Sequence, residues 1–224
     1  MLLDLFAGRA TVLDVLIWLF CFLLCITVHE VAHGFAAYKL GDKTAKSMGR
    51  LTLNPIPHID IMGLLAMLIF RFGWAKPVMV DPRNFTRKIT MRTGMAITAF
   101  AGPLSNLIFG FLAALIWLPM MFGVFTAPAS IYPTLMAILG TLVWLNVMLA
   151  VFNLIPIPPL DGSKIVAAFL PQKMLYNYMQ IERYGFLILI LSLNLPILRG
   201  LLFTVIEGIL EFYIRVVMLL PFVG

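Results

Sequence analysis

Charge is scarce in this sequence. Lys, Arg, Asp and Glu together make up 12% of its 224 residues, and it has three histidines and two cysteines. Soluble domains carry about a quarter charged residues. With 62% of the chain hydrophobic and a mean hydropathy of +1.03, a soluble globular class is excluded. So much apolar surface needs lipid to solvate part of it. Not one charged side chain falls between Thr93 and Leu160. Cys21 and Cys25 are too few for a disulfide framework and lie inside an apolar run, so they assign no redox compartment. Asp4 and Asp14 spoil the basic start of a signal peptide, and the first apolar run reads as a retained helix. No internal repeat, low-complexity tract or second soluble domain is visible.

The charge that is present is unevenly placed. Ten of the sixteen basic residues lie between Lys39 and Arg92, opposed only by Asp42, Asp60 and Asp81. Beside hydrophobic spans such a cluster marks the cytoplasmic side. No nucleic-acid-binding module accompanies it, so no nucleic-acid partner is expected. The first span runs from about Thr11 to Tyr38 and is ended by Gly41. Ile59–Phe70 is apolar but only about 12 residues long, short for a crossing. Basic loops flank it on both sides, which predicts a re-entrant or interfacial element. A second span covers about Met91–Pro119. After the uncharged loop Met120–Pro133, a third covers Thr134–Phe152.

Asn153–Leu160 contains Pro156, Pro158 and Pro159, which cannot continue an α-helix. Such backbone is tolerated in a membrane only where it is buried in protein or lines a cavity. Two further apolar stretches, about Tyr184–Leu198 and Leu201–Leu220, predict a closing hairpin with its boundary near Pro196 and Arg199. Lys173, Glu182 and Arg183 mark a cytoplasmic amphipathic connection before it. The topology that follows has the N-terminus outside and residues 39–92 inside. It brings the end of the first span and the end of the third to one depth, near the cytoplasmic face.

Two of the three histidines stand in His29-Glu30-Val31-Ala32-His33. Residues i and i+4 share a helix face, so two imidazoles can reach one metal ion. Glu30 is offset by one residue, near enough to take a proton from metal-activated water without being a ligand. Ionisable groups in a membrane helix are costly and functional by default. A catalytic zinc takes a third protein ligand. Cys21 lies about 18 Å along the axis from His33, so both cysteines cannot join both histidines on one ion. Asp161 is better placed: it follows the broken helix at the right depth and is the only acid between Asp81 and Glu182.

His29–His33 with Asn153-Leu-Ile-Pro-Ile-Pro-Pro-Leu-Asp161-Gly162 resembles the site-2 protease family of intramembrane zinc metalloproteases. That family pairs H-E-x-x-H with a distal N-x-x-P-x-P-x-L-D-G motif. Ala101-Gly102-Pro103-Leu104-Ser105-Asn106 is similar to the small-residue segment on the family's intervening helix. The resemblance implies His29, His33 and Asp161 as ligands of one Zn2+ per chain, with Glu30 as general base and acid. It implies that Asn153 holds substrate or a developing oxyanion, a role an amide donor beside a metal suits.

The expected fold is an all-α polytopic integral membrane protein with a three-helix catalytic core, a re-entrant element and a C-terminal helical hairpin. It forms one membrane-embedded domain over residues 1–224, with the core at about 11–170 and the C-terminal helices at about 171–224. The resemblance points to a small bacterial-type member without a PDZ or CBS domain, multi-pass in the bacterial cell membrane. Its partners would be the lipid bilayer and a transmembrane protein substrate. The oligomeric state is not assigned.

Other residues carry weaker expectations. His58 and Asp60, where the re-entrant element begins, are candidates for gating or a transient fourth ligand, against local hydrogen bonding. Gly94, Gly102, Ser105 and Gly110, with Ala101, Ala113 and Ala114, suit close helix contact. Phe72 and Trp74 read as interfacial anchors, Asn146 as part of an interhelical hydrogen bond, and the Pro-rich stretch as backbone to which an unwound substrate could pair. Two rival readings remain. One is a membrane metalloprotease that draws its third ligand from Glu207 or Glu211. The other is a non-proteolytic zinc-binding scaffold or metal transporter, which would need several acids along a path.

Overall fold

A computed structural model of the chain describes residues 4, 5, 7–70, 73–86 and 88–220. Phe72 therefore lies outside the described residues. Those described form helices and connecting loops with no strand among them. Three helices are long and apolar enough to cross a membrane: α1 (Val12–Lys39), α4 (Met91–Met121) and α5 (Tyr132–Asn153). The intervening short helices are α2 (Thr44–Ser47) and α3 (Ile61–Phe70), followed after α5 by α6 (Asp161–Phe169), α7 (Gln172–Gln180), α8 (Gly185–Leu193) and α9 (Pro196–Met218). This is an all-helical integral membrane protein.

Local chemistry sets the helix ends. Thr11 caps α1 in a reciprocal box: its hydroxyl accepts from Asp14 N at 3.2 Å, and Asp14 Oδ2 accepts from Thr11 N at 2.8 Å. That satisfies N-terminal amides which a helix cannot bond internally. Gly41, at φ +109°, turns the chain beyond the far end, a conformation that suits glycine. Thr90 caps α4 by accepting from Thr93 N. At 28, 31 and 22 residues these helices run about 42, 46 and 33 Å, enough for a hydrocarbon core about 30 Å thick.

The core lies between the three spans. Cys21, Phe22 and Cys25 of α1 pack with Ala113, Ala114 and Leu118 of α4 and with Leu142, Leu145 and Val147 of α5. Both cysteines are fully buried packing groups, as expected for small apolar side chains. Tyr213 of α9 joins this core and donates its hydroxyl to Leu107 O at 2.6 Å, tying the C-terminal helix to α4.

The short apolar element behaves as a re-entrant hairpin. Helix α3 has ten residues, about 15 Å, and the extended chain after it returns so that Lys76 N donates to His58 O at 2.9 Å. Gly63 and Gly73 let the two arms touch: a Cβ on Gly63 would sit 2.1 Å from Trp74 O, and one on Gly73 2.3 Å from Gly63 O. The two ends of the element are therefore on one side.

The C-terminal pair is arranged differently from two antiparallel spans. The break falls at Asn194–Leu195, and α8 meets α9 at 80°. Pro196 has no N–H and holds Leu195 extended (φ −76°, ψ 123°), which places the boundary at Pro196, one of the two residues expected to lie near it. Arg199 itself continues the helix.

Candidate metal centre

Helix α1 presents His29 and His33 on one buried face, and α6 begins with Asp161 directly opposite. Nε2 of each imidazole lies 3.1 Å from Asp161 Oδ2. The three side chains form the only group of three convergent His, Cys, Asp or Glu ligand atoms among the described residues, all within 4.8 Å of one another.

The other ring nitrogens fix what faces inward. His33 Nδ1 lies 2.7 Å from Thr98 O, a carbonyl that can only accept, so Nδ1 is the donor. His29 Nδ1 lies 2.5 Å from Asn106 Oδ1. The orientation of that amide is set by its own NH2, which donates to Cys25 O at 3.1 Å and to Asn146 Oδ1 at 2.7 Å. Asn146 thus accepts the interhelical bond expected of it, and its own NH2 donates to Leu142 O within α5. Both imidazoles are thus held as Nδ1–H donors, and their Nε2 lone pairs point at a carboxylate oxygen. Three acceptors facing one another repel unless a proton or a cation lies among them. A His, His, Asp set with anchored outer nitrogens is the donor chemistry of a catalytic zinc site, and the residues present fit that ion.

Two glycines make the approach of these elements possible. A Cβ on Gly102 would lie 2.4 and 2.5 Å from Cε1 and Nε2 of His33, and 2.7 Å from Cε1 of His29. Only a residue without a side chain lets α4 back onto both rings. Gly162 plays the same part for Asp161: its Cβ would fall 2.3 Å from Leu154 O and 2.5 Å from Ile155 O. The first turn of α6 therefore rests on the broken end of α5. Arg92, at the start of α4, donates to Leu170 O at 3.1 Å and secures the far end of α6.

Glu30 is half-buried beside His29, and its Oε2 accepts from Val78 N at 2.8 Å. Val78 sits over Gly34, one turn further along α1, so the extended arm after the re-entrant helix runs past the carboxylate. Lys164 Nζ donates to the second oxygen of Asp161, Oδ1, at 3.2 Å.

Other expected residues are not drawn in. Asn153, the last residue of α5, donates to Leu149 O at 3.0 Å within its own helix. His58 is buried and its Nε2 donates to Thr52 O at 3.1 Å, while Asp60 Oδ1 accepts from Gly63 N and caps α3. Glu207 and Glu211 are exposed on α9, with Glu211 paired to Arg215. Two carbonyls of the Pro-rich stretch are already covered, Pro156 O by the Tyr178 hydroxyl at 2.8 Å and Pro158 O by close contact with Gly185.

Thr98, Val78 and Lys164 are the contacts that residue patterns did not single out. A trace of the first was there: Gly94, Thr98, Gly102, Asn106 and Gly110 recur every fourth residue and form one small, polar stripe on α4.

Spans and buried polar cluster together define a polytopic membrane protein with a metallohydrolase-like centre. The family profile "Peptidase family M50" matches residues 118–193. A Bacillus subtilis (strain 168) protein named "Putative zinc metalloprotease YwhC" is 37% identical over 175 residues, 78% of each chain. A Mycolicibacterium smegmatis (strain ATCC 700084 / mc(2)155) protein named "Putative zinc metalloprotease Rip2" is 28% identical over 193 residues, 85% of this chain and 71% of that one. No solved structure matches. The chain belongs to peptidase family M50, the site-2 proteases, and is a zinc metalloprotease of the membrane.

Proposed function

We propose that this protein hydrolyses peptide bonds in membrane-spanning protein substrates, with one zinc ion per chain held by His29, His33 and Asp161 and with Glu30 as general base. The observation that carries the reading is the convergence of two imidazole Nε2 atoms on one carboxylate oxygen while both Nδ1 atoms are committed elsewhere. When bound, zinc supplies Lewis acidity and makes water nucleophilic near neutral pH.

The chain's own groups do the rest. Asn106 and the Thr98 carbonyl hold the imidazoles in the ligating tautomer. Glu30, steadied through one oxygen by the Val78 amide, takes the proton from the attacking water and returns it to the leaving amine. Asn153 exchanges its bond to Leu149 for one to the substrate carbonyl or the tetrahedral oxygen. A substrate helix hides its carbonyls in internal hydrogen bonds, so it unwinds locally before attack. The whole chain acts as one membrane-embedded domain in the bacterial cell membrane, with the centre near the cytoplasmic side, where the basic residues of 39–92 lie.

Glu30→Gln tests the assignment. The expected result is a protein that retains zinc at the wild-type level and no longer cleaves a membrane substrate in reconstituted bilayers. Wild-type turnover by this variant would sink the base assignment.

A further inference from the structure

Resting on the ligand set proposed above, we infer that Lys164 is a positioning residue that holds Asp161 to one-oxygen ligation. The two carboxylate oxygens of Asp161 have different surroundings. Oδ2 faces both histidines at 3.1 Å, whereas Oδ1 accepts from Lys164 Nζ at 3.2 Å. The side chain of Asp161 is 6% exposed and that of Lys164 is 45% exposed, so the ammonium reaches in from the rim of the site. Lys164 stands at i+3 on the same nine-residue helix, the spacing at which side chains meet.

Rotation about the Cβ–Cγ bond of Asp161 would otherwise bring Oδ1 in beside Oδ2. A carboxylate that ligates through both oxygens fills the position that a catalytic zinc keeps open for water or substrate. By occupying Oδ1, Lys164 blocks that rotation. Ligating carboxylates commonly need such an outer partner, and loss of one costs about 10–100-fold in metal affinity or activity.

The test uses the full-length protein in detergent, loaded with cobalt(II) in place of zinc. The visible d–d bands of cobalt(II) weaken as its coordination rises from four to five. For Lys164→Met, the expected result is full metal uptake, weaker d–d bands and a fall in kcat/KM of about 10–100-fold for the zinc form. Lys164→Arg, which keeps a cationic donor, should restore both spectrum and turnover, a rescue that a general loss of packing would not give. Wild-type bands and turnover in Lys164→Met would overturn the inference. So would a Lys164→Met protein whose metal-free form has lost its thermal transition, because the lysine would then be holding the fold. Asp161→Asn is the control for the underlying ligand set. If it takes up cobalt as wild type does, the ligand assignment itself fails and this role goes with it.

Discussion

Asp42 and Asp161 are both buried carboxylates, 0% and 5% exposed, yet their oxygens meet opposite kinds of neighbour. Asp42 accepts from Thr44 N at 3.0 Å, Thr44 Oγ1 at 2.5 Å, Asp81 N at 2.8 Å and Asn84 Nδ2 at 3.0 Å. Each of these neighbours is a donor, and the carboxylate needs nothing further to be stable there. It knots the loop after α1 to the loop before α4. Asp161 has one donor, Lys164, while its other oxygen confronts two imidazole lone pairs. Burial of a charge therefore does not distinguish structure from chemistry in this molecule. The distinction lies in whether the charge meets donors or meets other acceptors.

The comparison is sharpest when each aspartate is removed in turn. On the proposed ligand set, Asp161→Ala should abolish both stoichiometric zinc and cleavage, because His29 and His33 come from a single helix. Zinc content by atomic absorption, together with cleavage in liposomes, measures this. Asp42→Ala should keep zinc and cleavage, and lower thermal stability by about 1–3 kcal/mol, the cost of stranding buried donors. If Asp42→Ala lost zinc without losing stability, the two sites would not be separable in this way.

A smaller effect is expected one bond further out. Asn106→Ala removes the acceptor that holds His29 Nδ1 and leaves Asn146 without its interhelical donor. Metal affinity or activity should fall by about 10–100-fold, read as faster zinc loss to a chelator. Zinc loss at the wild-type rate would show that α1 alone fixes the ring.

Much of this was legible in the sequence because it follows periodicity. The i, i+4 histidines, the absence of charge from 93 to 160 and the three prolines before Asp161 each constrain local structure directly. The reciprocal partners were not legible for a physical reason. Thr98 and Val78 act through backbone groups, which every residue has, so no side-chain pattern marks them. Lys164 is an ordinary helix-surface lysine until Asp161 is turned inward. The 80° corner at Leu195 was equally hidden: hydropathy reports how apolar α8 and α9 are, and says nothing of the angle between them. Pro196 marked where the break falls but not how far the chain turns there.

The smallest expected effect concerns pH and the self-sufficient aspartate. Burial alone would raise the Asp42 carboxyl. The bonds from the Thr44 and Asn84 side chains and from the Asp81 and Thr44 amides outweigh burial and hold it below the usual carboxylate value of 3.8. A carboxyl whose folded value is depressed contributes stability that is fully present above its unfolded value and lost as pH falls through the folded one. The amides of Thr44 and Asp81 should therefore keep their exchange protection at about pH 5 and lose it only below about pH 4. In Asp42→Asn that acid-dependent step should disappear, because a neutral amide has no such titration. Hydrogen exchange read by mass spectrometry on peptides covering residues 40–50 and 78–86 resolves the two cases. An acid step that persists in Asp42→Asn would assign the knot to some other carboxylate and remove Asp42 as the counterpart of Asp161.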